Sequence, residues 1–197
     1  MARAPATPVR MVISVFVVCT VAAAGLALTY GLTRDRIVAQ ERAAQLAALK
    51  TAVPEGTEFE PVDSATLSVA QRAAGDVRVY GVFEAMSDGE SVGWGIEVGP
   101  RGYGGPIRMV VGLDRNGKVV GVSIVAMNET PGLGSQIVER DDFLPQFVGV
   151  ESEQAQGDLK QVDLIIGATK SSRGVRNGVE AATAIYVDVV LGGEVGL

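Results

Sequence analysis

The sequence predicts an α+β protein: a single N-terminal transmembrane helix followed by a domain with an antiparallel sheet covered by helices. Three observations lead there. Residues 11–32 form an uncharged run rich in Val, Ala and Leu. Between residues 77 and 126, β-branched segments alternate with Gly- and Asp-containing turns, the pattern of a meander. Near the C-terminus, Val175, Val179, Ala182, Ile185, Tyr186 and Val189 recur at helical spacing, making one apolar face to lay across a sheet.

The apolar run has 22 residues. At about 1.5 Å per residue it crosses a hydrocarbon core of roughly 30 Å. Arg3, Arg10 and the α-amino group precede it, and Arg34-Asp35-Arg36 follows with a smaller net charge. The positive-inside bias then puts the N-terminus in the cytoplasm. The chain is expected to pass once through the cell inner (plasma) membrane, with the domain on the extracytoplasmic side. A cleaved signal peptide is the rival, because Ala22-Ala23-Ala24 offers an A-x-A-like site. The apolar character continues to Leu32, which favours a retained anchor. Val17-Val18 lacks the small residue expected before a lipid-modified Cys19.

The 197 residues leave room for this segment and one domain of roughly 150. Mean hydropathy is +0.27, with the excess at the N-terminus. The net charge of −6 and pI near 4.8 argue against a nucleic-acid partner. There is no histidine, and Cys19 is the sole cysteine. That excludes iron–sulfur ligation by a thiolate set, Cys/His zinc sites, His-ligated haem and His-based triads within this chain. Redox chemistry here would need an organic cofactor.

Residues 34–51 are rich in helix formers and extend the first helix as a stalk until Pro54. Residues 54–76 are turn-rich and receive no element. The chain thus divides at 1–33 (N-terminus and anchor), 34–76 (stalk and connection) and 77–197 (domain). Strands are expected over 77–83, 93–98, 107–113 and 118–126, with Asp114-Arg115-Asn116-Gly117 as a hairpin turn. Residues 128–134 cannot be regular. Ser135 is expected to cap a short helix through Glu139, with Phe143, Leu144, Phe147 and Val148 as apolar anchors. A polar linker over 151–160 then leads to a short strand at 163–166, and the last helix runs from about Ser172 to Leu191.

Asp163-Leu164-Ile165-Ile166-Gly167-Ala168-Thr169-Lys170-Ser171-Ser172 is the most informative stretch. An apolar segment enters a small-residue turn, and hydroxyls open the last helix. Free N–H groups at a helix start, with hydroxyls beside them, suit a phosphate. On its own such a segment is more often a plain Ser/Thr cap.

Together with Glu129-Thr130-Pro131-Gly132-Leu133-Gly134, in this order, it resembles one family: the FMN-binding domain of RnfG, a subunit of the membrane-bound Rnf electron-transport complex, related to NqrC of the sodium-pumping NADH:quinone oxidoreductase. The likeness takes in the N-terminal anchor and the Gly-Tyr-Gly-Gly-Pro loop at 102–106, and so most of the chain. It implies FMN held covalently, as a phosphoester to Thr169. Asp163 matches the acidic residue six positions earlier, while Ile166 stands where Ser or Thr is usual. Attachment implies a separate flavin transferase, because a threonine hydroxyl is a poor nucleophile at neutral pH. Gly167 and Ala168 would keep the approach to Thr169 open. Ser171 and Ser172 would donate to the phosphodiester, and Lys170 and Arg173 would offset its charge. Glu129, Thr130, Leu133 and Gly134 are implied as ring contacts, with Glu129 accepting from a flavin N–H. Trp94 and Tyr103 are candidate stacking partners, although such residues more often pack a core.

The resemblance implies an electron-transfer subunit of an ion-translocating oxidoreductase (translocase), working with other membrane subunits of an Rnf-type complex between reduced ferredoxin and NAD. With neither a nicotinamide fingerprint nor ferredoxin-type cysteines, this chain would be one wire in that path. Two alternatives stand beside it. One is a stand-alone anchored flavoprotein or an NqrC-like subunit. The other is an anchored sensor or scaffold without cofactor.

Overall fold

A computed structural model describes residues 8–192. Arg3, one of the charges behind the expected orientation, lies outside them. The chain forms two compact units, divided between Ala43 and Ala44.

Helix α1 runs from Pro8 to Ala52. In the first unit its large apolar side chains, from Val9 to Val38, are exposed all round, as a lipid-facing helix requires. Its hydroxyls are turned inward onto the helix itself. Ser14, Thr20, Thr29 and Thr33 donate to the carbonyls of Arg10, Phe16, Gly25 and Thr29 at 2.8–2.9 Å. Such back-bonding satisfies these four hydroxyl protons without water.

The second unit begins at Ala44 rather than at residue 77. Its centre is a five-stranded antiparallel meander in the order β1-β2-β3-β4-β5. The strands are β1 Glu58–Pro61, β2 Arg78–Ser87, β3 Glu90–Gly99, β4 Arg108–Asp114 and β5 Val119–Ala126. Asp88 and Gly89, both at positive φ, make the two-residue β2–β3 turn, whose twist matches the flanking strands. Asp114 Oδ1 accepts from the N–H groups of Asn116 and Lys118, closing the β4–β5 turn.

Two elements lie where the sequence reading assigned none. The short strand β1 pairs on the sheet's edge with β2, and Pro61 is tolerated there because an edge needs fewer N–H donors. Helix α2, Ser64–Ala73, starts at Asp63, whose carboxylate accepts from the N–H groups of Ala65 and Thr66. The Thr66 N–H bond, the largest cause, holds the Asp63 carboxyl below its ordinary value of 3.8.

Side-chain alternation gives the sheet two covered faces. On one, Val82, Ile96, Val98, Met109, Val111, Leu113 and Val119 meet apolar side chains of α2 and of helix α5, Thr169–Ile185. Phe143 and Phe147 join this core edge to face, centroids 5.5 Å apart. On the other, Ala48, Leu49 and Ala52 of α1 pack with Val110, Phe59, Phe83 and Val125. The helix backbone comes so close that a Cβ at Gly112 or Gly121 would strike the Ala52 carbonyl. At the polar end of this contact, Glu97 on β3 is fully buried. Arg108 Nη2 and Nε donate to Glu97 Oε1 at 2.6 and 3.0 Å, and Gln45 Nε2 of α1 donates to Oε2 at 2.5 Å.

Four further expectations need correction. Residues 163–166 are not a strand: the N–H groups of Asp163 and Ile165 bond to the side chains of Gln146 and Ser172, not to a neighbouring strand. The 151–160 segment is not an open linker but a run of short helical turns including α4, Ala155–Asp158, with Ala155 and Leu159 buried in the core. Ser135 does not cap α3, Gln136–Glu139; its Oγ accepts from Gly132 N–H instead. The last helix starts at Thr169, three residues earlier than expected, and beyond Ile185 it widens into a π turn, Tyr186–Leu191. Tyr186, buried there, donates its hydroxyl to the Arg115 carbonyl at 2.6 Å.

Candidate functional site

Thr169 is exposed and is the first residue of α5. The residue before it, Ala168, has no side chain that can cap, and no side-chain cap bond is made. The first N–H groups of α5 therefore lack acceptors within the helix, which is the arrangement that receives an anion. Gly167 reaches the helix through φ +89, a left-handed conformation that a Cβ would strain. The Thr169 hydroxyl makes one weak bond, to the Ile165 carbonyl at 3.4 Å. It is the least engaged hydroxyl of the segment.

Ser171 and Ser172 behave differently from the expectation. Both are buried, at 1% and 0% exposure. Ser172 Oγ donates to the Ala168 carbonyl at 2.9 Å and accepts from Ile165 N–H at 3.2 Å. Ser171 Oγ donates to Glu129 Oε2 at 2.7 Å. Neither hydroxyl is turned outward to a phosphate at Thr169; they hold the loop and helix that present Thr169.

Glu129 is the hub of the site. Its Oε1 accepts from the N–H groups of Tyr103 and Gly104 at 2.9 and 3.2 Å, while Oε2 takes the Ser171 hydroxyl. One carboxylate thus ties together the 102–106 loop, the 129–134 loop and the start of α5. Gly134 is buried against it, and a Cβ there would strike Glu129 Oε2. A carboxylate has about four acceptor positions, so three internal donors leave Glu129 little capacity for a flavin N–H. Its place is behind the surface, fixing loops.

The remaining expected residues are scattered around this hub. Thr130 is exposed, and its carbonyl closes the turn by accepting from Leu133 and Ser135 N–H. Leu133 is exposed beside Gly167. Lys170 extends over the Tyr103 ring, Nζ 5.4 Å from its centroid. Trp94 packs against the core instead.

The sequence reading missed Gln146. Its Oε1 accepts from Asp163 N–H at 2.9 Å and its Nε2 donates to the Asp142 carbonyl at 3.2 Å. Arg140 forks onto the same Asp142 at 2.6 and 2.9 Å; these bonds hold the Asp142 carboxyl below its usual range and raise Arg140. Nothing local marked Gln146, because its partner is 17 residues away.

Space sets the last constraint. The cleft beside the 163–165 segment holds about 100 Å³; a cleft of about 410 Å³ shares Gln146 with it, while those of about 530 and 690 Å³ are lined by other residues. Pockets that enclose a flavin-sized ligand run to roughly 300–1,000 Å³.

An uncapped helix start with an open hydroxyl, behind an apolar helix, defines an anchored domain suited to a phosphate-bearing cofactor. Comparison with known proteins agrees. Residues 102–184 match the FMN-binding domain family, and residues 13–51 match the RnfG N-terminal region. The G subunit of the ion-translocating oxidoreductase complex of Aliivibrio fischeri is 31% identical over 89% of this chain and 88% of its own. Its Vibrio cholerae counterpart is 34% identical over 80% and 79%. The G subunit of the Na(+)-translocating ferredoxin:NAD(+) oxidoreductase complex of Acetobacterium woodii is 29% identical over 87% of each. The chain belongs to this RnfG family and carries its FMN-binding domain. The crystal structure of Shewanella oneidensis NqrC matches with a TM-score of 0.48 at 21% identity, over 59% of this chain and 61% of that one.

Proposed function

We propose that this chain is the flavin-carrying subunit of an ion-translocating ferredoxin:NAD oxidoreductase complex, with FMN joined through its phosphate to Thr169. The observation that carries the attachment is local: Thr169 is exposed, its hydroxyl is nearly free, and it opens an uncapped helix inside the matched FMN-binding region. Bound FMN would supply one- and two-electron chemistry that side chains without histidine or paired thiols do not. The protein's own residues do the positioning. Gln146 and Ser172 hold the 163–168 loop, Glu129 locks the flanking loops, and the helix start favours the phosphodiester charge by roughly 0.3–1 kcal/mol.

The proposal includes a flavin transferase, the other membrane subunits of the complex, and an inner-membrane topology with the domain on the extracytoplasmic side. Expressed with a flavin transferase, the protein should fluoresce as a band in a denaturing gel, and its intact mass should exceed the polypeptide by one FMN less water. Thr169→Ala should remove both signals; flavin that survives denaturation on that variant would put the bond elsewhere. Protease added to right-side-out cells should digest the chain beyond residue 34, and full protection would reverse the topology.

A further inference from the structure

The surface around Thr169 carries charge opposite to that of the chain as a whole. The protein bears −6, yet the segments 101–106, 129–134 and 163–176 hold Arg101, Lys170, Arg173 and Arg176 against Glu129 and Asp163. Arg101, Lys170 and Arg173 are exposed and Arg176 is half-buried. They share one neighbourhood: Lys170, Arg173 and Arg176 recur at three-residue intervals along α5, and Gly174 meets the Arg101 backbone. Among the described residues, ion pairs engage Arg108, Arg115 and Arg140 but none of these four. Arg140 and Asp142, which line the cleft beside 163–165, neutralise each other, so one phosphodiester charge at Thr169 leaves the groups named here net positive.

Inside this rim the surface is apolar. Ile166 is 94% exposed, Tyr103 70% and Leu133 52%. Leu133 Cδ2 lies within van der Waals reach of a Cβ placed at Gly167, next to Ile166, and Tyr103 sits under Lys170. A lone exposed Leu is ordinary. Three large side chains around one exposed hydroxyl, beside cations that make no ion pair among the described residues, have the apolar centre and polar rim of a docking surface.

We propose that this face receives an acidic surface of the protein that exchanges electrons with the site. The inference rests on the proposed attachment of flavin to Thr169 and names the partner's chemistry. Complementary charge raises the encounter rate and fixes orientation more than it adds affinity. The rim would therefore choose which protein surface comes within electron-transfer distance.

Ionic strength tests the local charge. Full-length flavin-loaded protein, reduced and mixed with ferricyanide, gives two electrons per flavin to two ferricyanide ions and releases two protons to the buffer. If the patch governs approach, this rate should fall about threefold or more between about 20 and 300 mM salt, and the rate with hexaammineruthenium(III) should rise. Arg173→Glu/Arg176→Glu should reverse both trends. Slopes that follow the net charge of −6, or that ignore the double substitution, overturn the proposal.

A second readout needs no flavin. Zero-length carbodiimide coupling in membranes that contain the assembled complex should join Lys170 to an Asp or Glu of another subunit, and the double substitution should abolish that product. No Lys170 product while Lys118 or Lys160 couples, or a product with the flavin transferase alone, would overturn the docking role. A non-fluorescent protein that still yields the Lys170 product would sink the flavin attachment and leave the docking surface standing.

Discussion

Glu97 and Glu129 are the same side chain put to two uses. Glu97 is fully buried on the face covered by α1, paired with Arg108 and bonded to Gln45. Glu129 is half-buried and bonded only to neutral donors: two backbone N–H groups and the Ser171 hydroxyl. The first is a charge neutralised inside packing. The second sits half-buried among neutral donors, in a patch where four cations face two carboxylates. The comparison teaches that both carboxylates cross-link segments far apart in sequence, but only Glu97 needs a cation to be tolerated. One fixes the sheet to α1, and the other fixes the loops that present Thr169.

Substitutions can break that comparison. The largest effect is expected from Glu97→Ala, which strands Arg108. Removing one partner of a buried pair costs about 3–5 kcal/mol, and the quarter exposure of Arg108 places this one near the lower figure. Thermal unfolding should shift down by roughly 10 °C, with flavin loading unchanged at temperatures where the chain is folded. Glu97→Leu/Arg108→Leu should recover most of that loss, because no charge is left unpaired.

Glu129→Ala should cost less, about 1–3 kcal/mol for the orphaned donors, yet lower flavin loading measured by in-gel fluorescence. If Glu97→Ala impaired loading equally, the division of roles would be wrong. Ser172→Ala comes next, at about 1–2 kcal/mol, since it leaves the Ile165 N–H without its acceptor; slower loading than wild type at equal folded fraction is the sharper reading. The smallest effect belongs to Asp63, the N-cap of α2. Its carboxyl is depressed when folded, so its contribution is complete above the ordinary value of 3.8 and disappears as pH falls through the folded value. Asp63→Asn should flatten that acid limb, as followed by denaturant midpoints against pH.

Much of the fold was legible because its signals are local. The span length of residues 11–32, the turn residues at 88–89 and 114–117, and the spacing of Val175, Val179 and Ala182 each need only near neighbours. Helix α2 went unassigned, because the ten residues after Asp63 carry too narrow an apolar stripe to stand out. The 163–166 segment misled for the opposite reason. Its apolar run looks like a strand, while its N–H groups are taken by Gln146 and Ser172, so no ladder can form there.

At the site, the sequence by itself marked Thr169, the two loops, Lys170 and Arg173, because each motif is an unbroken run of residues. Which hydroxyl stays open was decided by the tertiary structure. Ser171 meets Glu129 across 42 residues, and Glu97 meets Gln45 across 52. Those bonds depend on strand register and on how closely glycine lets two backbones approach, and neither quantity is written in any short run of the chain.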